Sequence, residues 1–100
     1  MSMTLELGRF VVEPDHEQQF LAKREAMVDA AKENFPGLID LTLAKLDDGS
    51  YVEVAFWEDR SFVKAAVAKA ESIPAVADWL GHVSEDLRTE FGTVVDADRR

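Results

Sequence analysis

The segment LIDLTLAKLDDGSYVEVAFWED, residues 38–59, contains two runs of alternating apolar residues separated by a short polar turn. A period of two predicts a β-strand, so residues 38–46 and 51–59 are each predicted to form one. Asp48 and Gly49 lie between the runs and tolerate positive φ, which is the strongest short-range signal of a β-hairpin. The alternating positions are Ile39, Leu41 and Leu43 in the first run and Val52, Val54 and Phe56 in the second.

The rest of the chain predicts two more strands and three helices. Residues 4–13 read as a strand that Pro14 stops. A helix follows from Asp15, with Gln18 as its capping-box partner, to about Phe35, where Pro-Gly ends it. The remaining elements are a helix over 60–71 capped by Asp59, a helix beginning at Pro74, and a strand over 89–95 whose start the sequence does not fix, because the preceding helix could continue to Phe91.

The order β-α-β-β-α-α-β predicts an α+β, ferredoxin-like split β-α-β fold. Right-handed crossovers place the helices on one face of a four-stranded antiparallel sheet. The other face is then uncovered, and an exposed apolar face of this size typically marks an interface. We therefore expect two sheets to meet face to face in a homodimer. The row predicted to face the partner contains Phe10, Val12, Leu38, Ala44, Leu46, Tyr51, Ala55 and Trp57, with Glu6, Asp40, Thr42 and Glu53 among them.

Composition limits the classes of function. The chain has 100 residues, 47% of them hydrophobic, and a formal charge of −9. This predicts one globular domain over 1–100 with a frayed tail at 96–100, and it argues against nucleic acid and anionic membranes as partners. Without cysteine, signal peptide or membrane span, the expected location is the cytoplasm.

Several short motifs, taken together in order, resemble the antibiotic biosynthesis monooxygenase (ABM) family of the dimeric α+β barrel superfamily. They are VVEPD at 11–15, FPGLIDLTL at 35–43 and VAFWED at 54–59, followed by a short helix. The resemblance implies a β-barrel formed across two chains and a ligand pocket between helices and sheet in each. Enzymes of the family include cofactor-independent monooxygenases that oxidise phenols or quinols with O₂, and others that degrade haem or act on small quinones.

The sequence also departs from that family pattern. Many relatives carry a histidine in the helix after Trp-Glu, whereas FVKAAVAKA at 62–70 has none. The haem-degrading members use a tryptophan where Ala66 stands, a histidine near residue 75 and an asparagine near Arg9. Haem degradation and isomerase chemistry are therefore less favoured than a monooxygenase, and neither a cofactor nor a metal is expected. A non-catalytic ligand-binding or structural dimer of the same fold is the main alternative.

Aromatic and charged residues supply the candidate site. A pocket for a small aromatic ligand would be lined by aromatic side chains on inward helix faces and by the family's marker tryptophan, although each could equally be core. His82, spaced by four from Asp78 and Asp86, could transfer protons if all three lie on one helix face, and Glu53 could act as a base if it is desolvated. Arg9 could bind a phenolate or pair with a carboxylate. The aromatic candidates are Phe20, Phe35, Trp57, Phe62 and Trp79.

Overall fold

The computed structural model describes residues 2–98, which form a four-stranded sheet with helices on one side. The sheet is antiparallel throughout, in the order β2-β3-β1-β4. This confirms the α+β, ferredoxin-like prediction. The elements are β1 Thr4–Val11, α1 Glu17–Ala22, α2 Arg24–Asn34, β2 Leu38–Lys45, β3 Tyr51–Trp57, α3 Ser61–Lys69 with a 3₁₀ turn Ala70–Ser72, α4 Pro74–Leu80 and β4 Glu85–Thr93.

The prediction of which sheet row faces the helices was wrong for the two central strands. Phe10, Tyr51, Ala55 and Trp57 pack in the core against the helices. The row of β1 that faces the helices includes Glu6 and Gly8, and that of β3 includes Glu53, so the more uniformly apolar row of each strand is the uncovered one and alternation favoured the wrong side. Phe10, Tyr51 and Trp57 nevertheless face inward, where their large aromatic side chains pack against the helices. The uncovered row is Leu5, Leu7, Arg9 and Val11 on β1 and Val52, Val54 and Phe56 on β3, paired as Leu5–Phe56, Leu7–Val54 and Arg9–Val52.

A bulge in β2 changes which of its residues face the core. The register with β3 shifts between Leu38 and Asp40, so that Leu38 pairs with Trp57 while Leu41 pairs with Ala55. A bulge adds one residue to a strand, which lets both leucines point to the same side of the sheet. Leu38 is therefore a core residue, contrary to prediction, whereas Asp40, Thr42 and Ala44 lie on the uncovered face as predicted.

The hairpin turn forms where predicted, but only one of its residues has positive φ. Gly49 has φ +91, and its N–H donates to the Leu46 carbonyl at 2.9 Å. Asp48 contributes through its carboxylate instead, which accepts hydrogen bonds from the N–H of Ser50 at 2.9 Å and from its hydroxyl at 2.6 Å. These bonds lower the pKa of Asp48.

The long first helix is divided in two, and it starts later than predicted. α1 begins at Glu17, and no side chain caps it, so the predicted Asp15–Gln18 capping box is absent. At Lys23, φ −90 and ψ −2 separate α1 from α2. The Met27 N–H still bonds to the Lys23 carbonyl at 3.1 Å. The backbone therefore stays hydrogen bonded across the junction.

The last helix is shorter and the last strand longer than predicted. α4 ends at Leu80, and β4 begins at Glu85, opposite Val11. The Ser84 N–H donates to the Val11 carbonyl at 2.8 Å, so pairing with β1 starts as soon as the chain reaches it. Leu87 is thus an exposed strand residue and not part of a helix stripe. Of the predicted frayed tail, residues 96–98 are described as exposed and irregular, and the remainder lies outside the described residues.

The two glycines with positive φ offer a matched test of packing. A Cβ at Gly37, φ +83, would lie 2.3 Å from the Phe62 ring, whereas one at Gly49, φ +91, would meet nothing within 4 Å. We expect Gly49→Ala to cost about 1 kcal/mol of unfolding free energy from the backbone alone. Gly37→Ala should cost at least about 2 kcal/mol more, because Phe62 must move. Urea denaturation measures both values, and equal losses would contradict the packing role of Gly37.

Candidate functional site

A cavity of about 190 Å³ lies between the helix-facing side of the sheet and helices α2, α3 and α4. Its wall is mostly apolar, with two indoles and two carboxylates among its residues. Small side chains leave the space, because a sheet-helix gap lined by larger residues would close. The lining residues are Glu6, Gly8, Met27, Ala31, Phe35, Leu38, Leu41, Glu53, Ala55, Trp57, Ala66, Val67, Ala70, Val76, Trp79 and Leu80.

Gly8 forms part of the cavity floor on the central strand β1. It lies opposite Glu53 on β3, and a Cβ added to it would meet no atom within 4 Å. Glycine inside a strand weakens it and often marks a place where a ligand approaches the backbone. The glycine therefore keeps open the part of the cavity next to the Glu53 carboxylate.

Glu53 is held by a bidentate ion pair with Arg24. Nη2 of Arg24 donates to Oε2 at 2.8 Å, and Nη1 donates to Oε1. The guanidinium also lies over the Trp79 ring, 5.1 Å from its centroid. Burial raises the pKa of Glu53, and the nearby Glu6 adds to that rise, while Arg24 opposes it. Desolvation is the largest effect, so this carboxylate is a stronger base than an exposed glutamate.

Glu6 is the second carboxylate of the cavity. Its Oε1 accepts a hydrogen bond from Trp57 Nε1 at 3.0 Å. Within residues 2–98, no ion pair joins Glu6 to a basic side chain. Since Arg24 offsets only Glu53, the cavity keeps one uncompensated negative charge when both carboxyls are ionised.

A cluster of aromatic rings packs around the cavity residue Trp79, next to α1. Phe20 stacks on Trp79 with ring centroids 4.5 Å apart, and the Trp79 N–H donates to the Phe20 carbonyl at 3.0 Å. Phe20 also contacts Tyr51, whose hydroxyl donates to Glu17. Burial, together with Glu17, raises the pKa of Tyr51 to about 12. Tyr51 is therefore a neutral donor at physiological pH.

His82 lies outside the cavity, in a polar cluster on the surface. The predicted Asp78–His82–Asp86 helix face does not exist, because α4 ends at Leu80 and residue 86 is in β4. His82 Nδ1 is instead 2.9 Å from Nδ1 of His16, and its Nε2 is 2.9 Å from the Lys23 ammonium, which also bonds to Asp78. Sequence analysis found no histidine pair, since the two residues are distant along the chain. Among the described residues, no group of three or more histidines and carboxylates could hold a metal ion.

The structure brings together some of the predicted site residues and separates others. Three of the five aromatic candidates line the cavity with Glu53, whereas Phe20 lies behind Trp79 and Phe62 packs against Gly37. Arg9 lies on the opposite face of the sheet, where its Nη2 donates to Asp48 and Ser50, each at 3.2 Å. The aromatic candidates in the cavity wall are Phe35, Trp57 and Trp79.

Sequence analysis did not name Glu6, Gly8 or Arg24 as site residues. Arg24 was not considered, and Glu6 was assigned to the row that faces the partner. Gly8 was not considered, although a glycine in the middle of an apolar strand is a usable signal of close backbone approach. Long-range pairing of Arg24 with Glu53 has no local signature in the sequence.

The fold and the cavity define an α+β protein of ferredoxin-like topology with a pocket between helices and sheet. The family model for antibiotic biosynthesis monooxygenases matches residues 3–86, so the chain belongs to the ABM family. No curated protein matches the sequence significantly. No helix in residues 2–98 is long and apolar enough to cross a bilayer.

Solved structures show the same fold at low sequence identity. SnoaB, a cofactor-independent oxygenase from Streptomyces nogalater, is 24% identical, with a TM-score of 0.61 and coverage of 99% of this chain and 97% of its own. A candidate antibiotic biosynthesis monooxygenase from Bordetella bronchiseptica is 17% identical, with a TM-score of 0.74 and coverage of 95% and 99%. NE2512 from Nitrosomonas europaea, of unknown function, has a TM-score of 0.74 at 13% identity and coverage of 100% and 96%.

The buried ion pair generates a prediction about stability. Arg24→Met should cost about 3 kcal/mol or more at pH 7, because it leaves the Glu53 charge buried and unpaired. The pKa of Glu53 is already raised, so its ionisation opposes folding, and this cost should shrink as pH falls and the carboxyl becomes protonated. Urea denaturation at pH 7 and pH 5 measures the effect.

The double variant Arg24→Met with Glu53→Gln is the control for lost packing of the arginine. It should recover most of the stability at pH 7 and show little of the pH dependence. If the loss of unfolding free energy were the same at both pH values and Glu53→Gln did not relieve it, Arg24 would contribute through packing alone.

Proposed function

We propose that this protein is a cofactor-independent monooxygenase of the ABM type that acts on a small, single-ring phenol or quinol with O₂. The observation that carries the proposal is a cavity walled by Trp57, Trp79 and Phe35 with the carboxylate of Glu53 in its floor. Apolar walls with a few converging polar groups are typical of small-molecule sites. The ABM membership and the similarity to an oxygenase fold agree with it.

Cavity size limits the substrate. Drug-sized ligands occupy pockets of about 300–1,000 Å³, whereas an engineered apolar cavity of about 150 Å³ binds benzene. A cavity of about 190 Å³ therefore suits one aromatic ring with small substituents. Fused polycyclic phenols would require the helices to move outward.

The proposed reaction converts the phenol to a quinone. Glu53 accepts the hydroxyl proton, and the phenolate, now electron-rich, donates electrons to O₂ in a site whose walls are mostly apolar. One oxygen atom bonds to the ring carbon, and cleavage of the O–O bond releases the other as water. Phenol plus O₂ then gives benzoquinone plus water, and the substrate supplies all the electrons.

A non-catalytic ligand-binding protein is the second candidate. It is favoured by one feature, namely that Arg24 already occupies both oxygens of Glu53. A carboxylate held in this way is a good structural partner but must weaken one hydrogen bond before it can accept a proton.

Oxygen uptake with phenol, hydroquinone and an anthrone distinguishes the two candidates. We expect uptake with the single-ring compounds and little with the anthrone. Glu53→Gln should lower kcat at least about 100-fold, the typical contribution of a general base. His82→Ala, outside the cavity, should leave kcat within about twofold.

Gly8→Val is a second test, because it fills the cavity floor beside Glu53 while leaving the carboxylate in place, and it should raise KM while the fold remains intact. Binding of phenol without any oxygen uptake would support the non-catalytic candidate. Equal activity of wild type and Glu53→Gln would remove Glu53 from the mechanism.

We also propose that the protein is a homodimer formed by the uncovered faces of two sheets. The half-buried side chains of Leu5, Leu7, Val54 and Phe56 form an apolar row that no helix covers. On the same face, Arg9 Nε is buried and has no hydrogen-bond partner among the described residues. Buried polar groups are normally satisfied, so a second copy that supplies an acceptor would complete this face.

Val54→Lys tests the dimer. The substitution places a charge in the centre of the proposed interface, where desolvating an unpaired ammonium costs several kcal/mol. Light scattering should give twice the chain mass of 11.2 kDa for the wild type and close to 11.2 kDa for the variant. Val95→Lys, at a valine that is 94% exposed, is the matched control and should stay dimeric. A wild type of single-chain mass at micromolar concentration contradicts the proposal.

A further inference from the structure

We propose that Glu6 makes the cavity selective by charge, so that it accepts neutral phenols and protonated amines and rejects aromatic carboxylates. The inference rests on the cavity assigned above as the substrate site, and it names the class of ligand that the site takes. It concerns binding, so it does not require that the protein be catalytic.

The polar groups of the cavity are mainly acceptors. No Lys, Arg or His is among the described residues that line the cavity, and the Arg24 guanidinium beside it is paired with both oxygens of Glu53. Glu6 uses one oxygen for the Trp57 N–H, which leaves Oε2 as an acceptor at the cavity wall. A ligand therefore gains a hydrogen bond by donating one, as a hydroxyl or an ammonium does.

The net charge of the site also favours protonated amines and disfavours aromatic carboxylates. Two carboxylates and one guanidinium leave one negative charge beside the indole of Trp57. In an apolar surrounding, the interaction between this charge and a charged ligand is stronger than in water. A cation is also attracted by an indole face. A benzoate, by contrast, would face an unpaired carboxylate with no free cation to receive it.

Within residues 2–98, no basic group forms an ion pair with Glu6. Arg60 lies over the Phe91 ring at 4.5 Å from its centroid, and Phe91 is opposite Glu6 in the sheet. The guanidinium thus rests on an exposed ring at the sheet edge and forms no ion pair with Glu6.

Three ligands of nearly equal size test the proposal at pH 7: benzyl alcohol, benzylamine and benzoate. Quenching of Trp57 and Trp79 fluorescence reports occupancy. We expect benzyl alcohol and benzylamine to bind, and benzoate to bind at least about tenfold more weakly than benzylamine. If the wild-type protein bound benzoate as tightly as benzylamine, the proposal would be wrong, whatever the variants showed.

Two variants identify Glu6 as the cause. Glu6→Gln keeps an acceptor for the Trp57 N–H and should reduce the preference for benzylamine over benzoate about tenfold, with benzyl alcohol changed by less than about threefold. Glu71→Gln removes the same charge from an exposed position and should leave the preference unchanged. An unchanged preference in Glu6→Gln, or an equal change in Glu71→Gln, would overturn the assignment.

Glu53→Gln provides an independent check on the role of Arg24. Freed from its carboxylate partner, the guanidinium should receive benzoate, so that this variant prefers the anion to the amine. Oxygen uptake is measured separately, because charge selectivity without turnover would contradict the monooxygenase and leave this inference intact. Turnover without charge selectivity would contradict this inference and leave the monooxygenase proposal intact.

Discussion

The helices of this protein cover only one side of a sheet that carries large apolar side chains on both sides, and this constraint determines where the cavity and the proposed dimer face can lie. The covered side holds the cavity and most of the aromatic residues. The uncovered side holds Leu5, Leu7, Val54, Phe56 and Arg9, whose Nε is buried with no hydrogen-bond partner among the described residues. A chain of this length has too few helices to shield both sides, so the second side needs another molecule or remains exposed to water.

Within the covered side, the ion pair between Arg24 and Glu53 determines the chemistry. Burying a carboxylate next to indoles is costly unless a cation accompanies it. Arg24 reaches Glu53 because the helix is divided immediately before it, while the adjacent Lys23 turns outward to Asp78 and His82. Two consecutive basic residues thus serve two separate clusters, one inside the cavity and one at the surface.

The sequence was sufficient to predict the order of elements, the hairpin and the family, because alternation, Pro-Gly and Asp-Gly are local signals. It placed the wrong rows of β1 and β3 against the helices, since the rows that face them contain Glu6, Gly8 and Glu53 and the uncovered rows are more uniformly apolar. The end of α4 was misplaced because Val83 and Leu87 continue a helical spacing that strand pairing with β1 overrides. The Glu53–Arg24 and His16–His82 contacts join residues far apart in the chain, and only the assembled sheet and helices bring them together.

The cavity exists because small residues occupy positions where a packed core would have large ones. Gly8, Ala31, Ala55, Ala66 and Ala70 all face it. If it were closed and dry, a void of about 190 Å³ would cost on the order of 4 kcal/mol, a large part of the usual stability of a small domain. Access of solvent reduces that cost, yet a side chain at Gly8 would fill part of the space, and its Cβ would meet no atom within 4 Å. The open space beside two carboxylates is therefore better explained as room for a ligand than as a failure of packing.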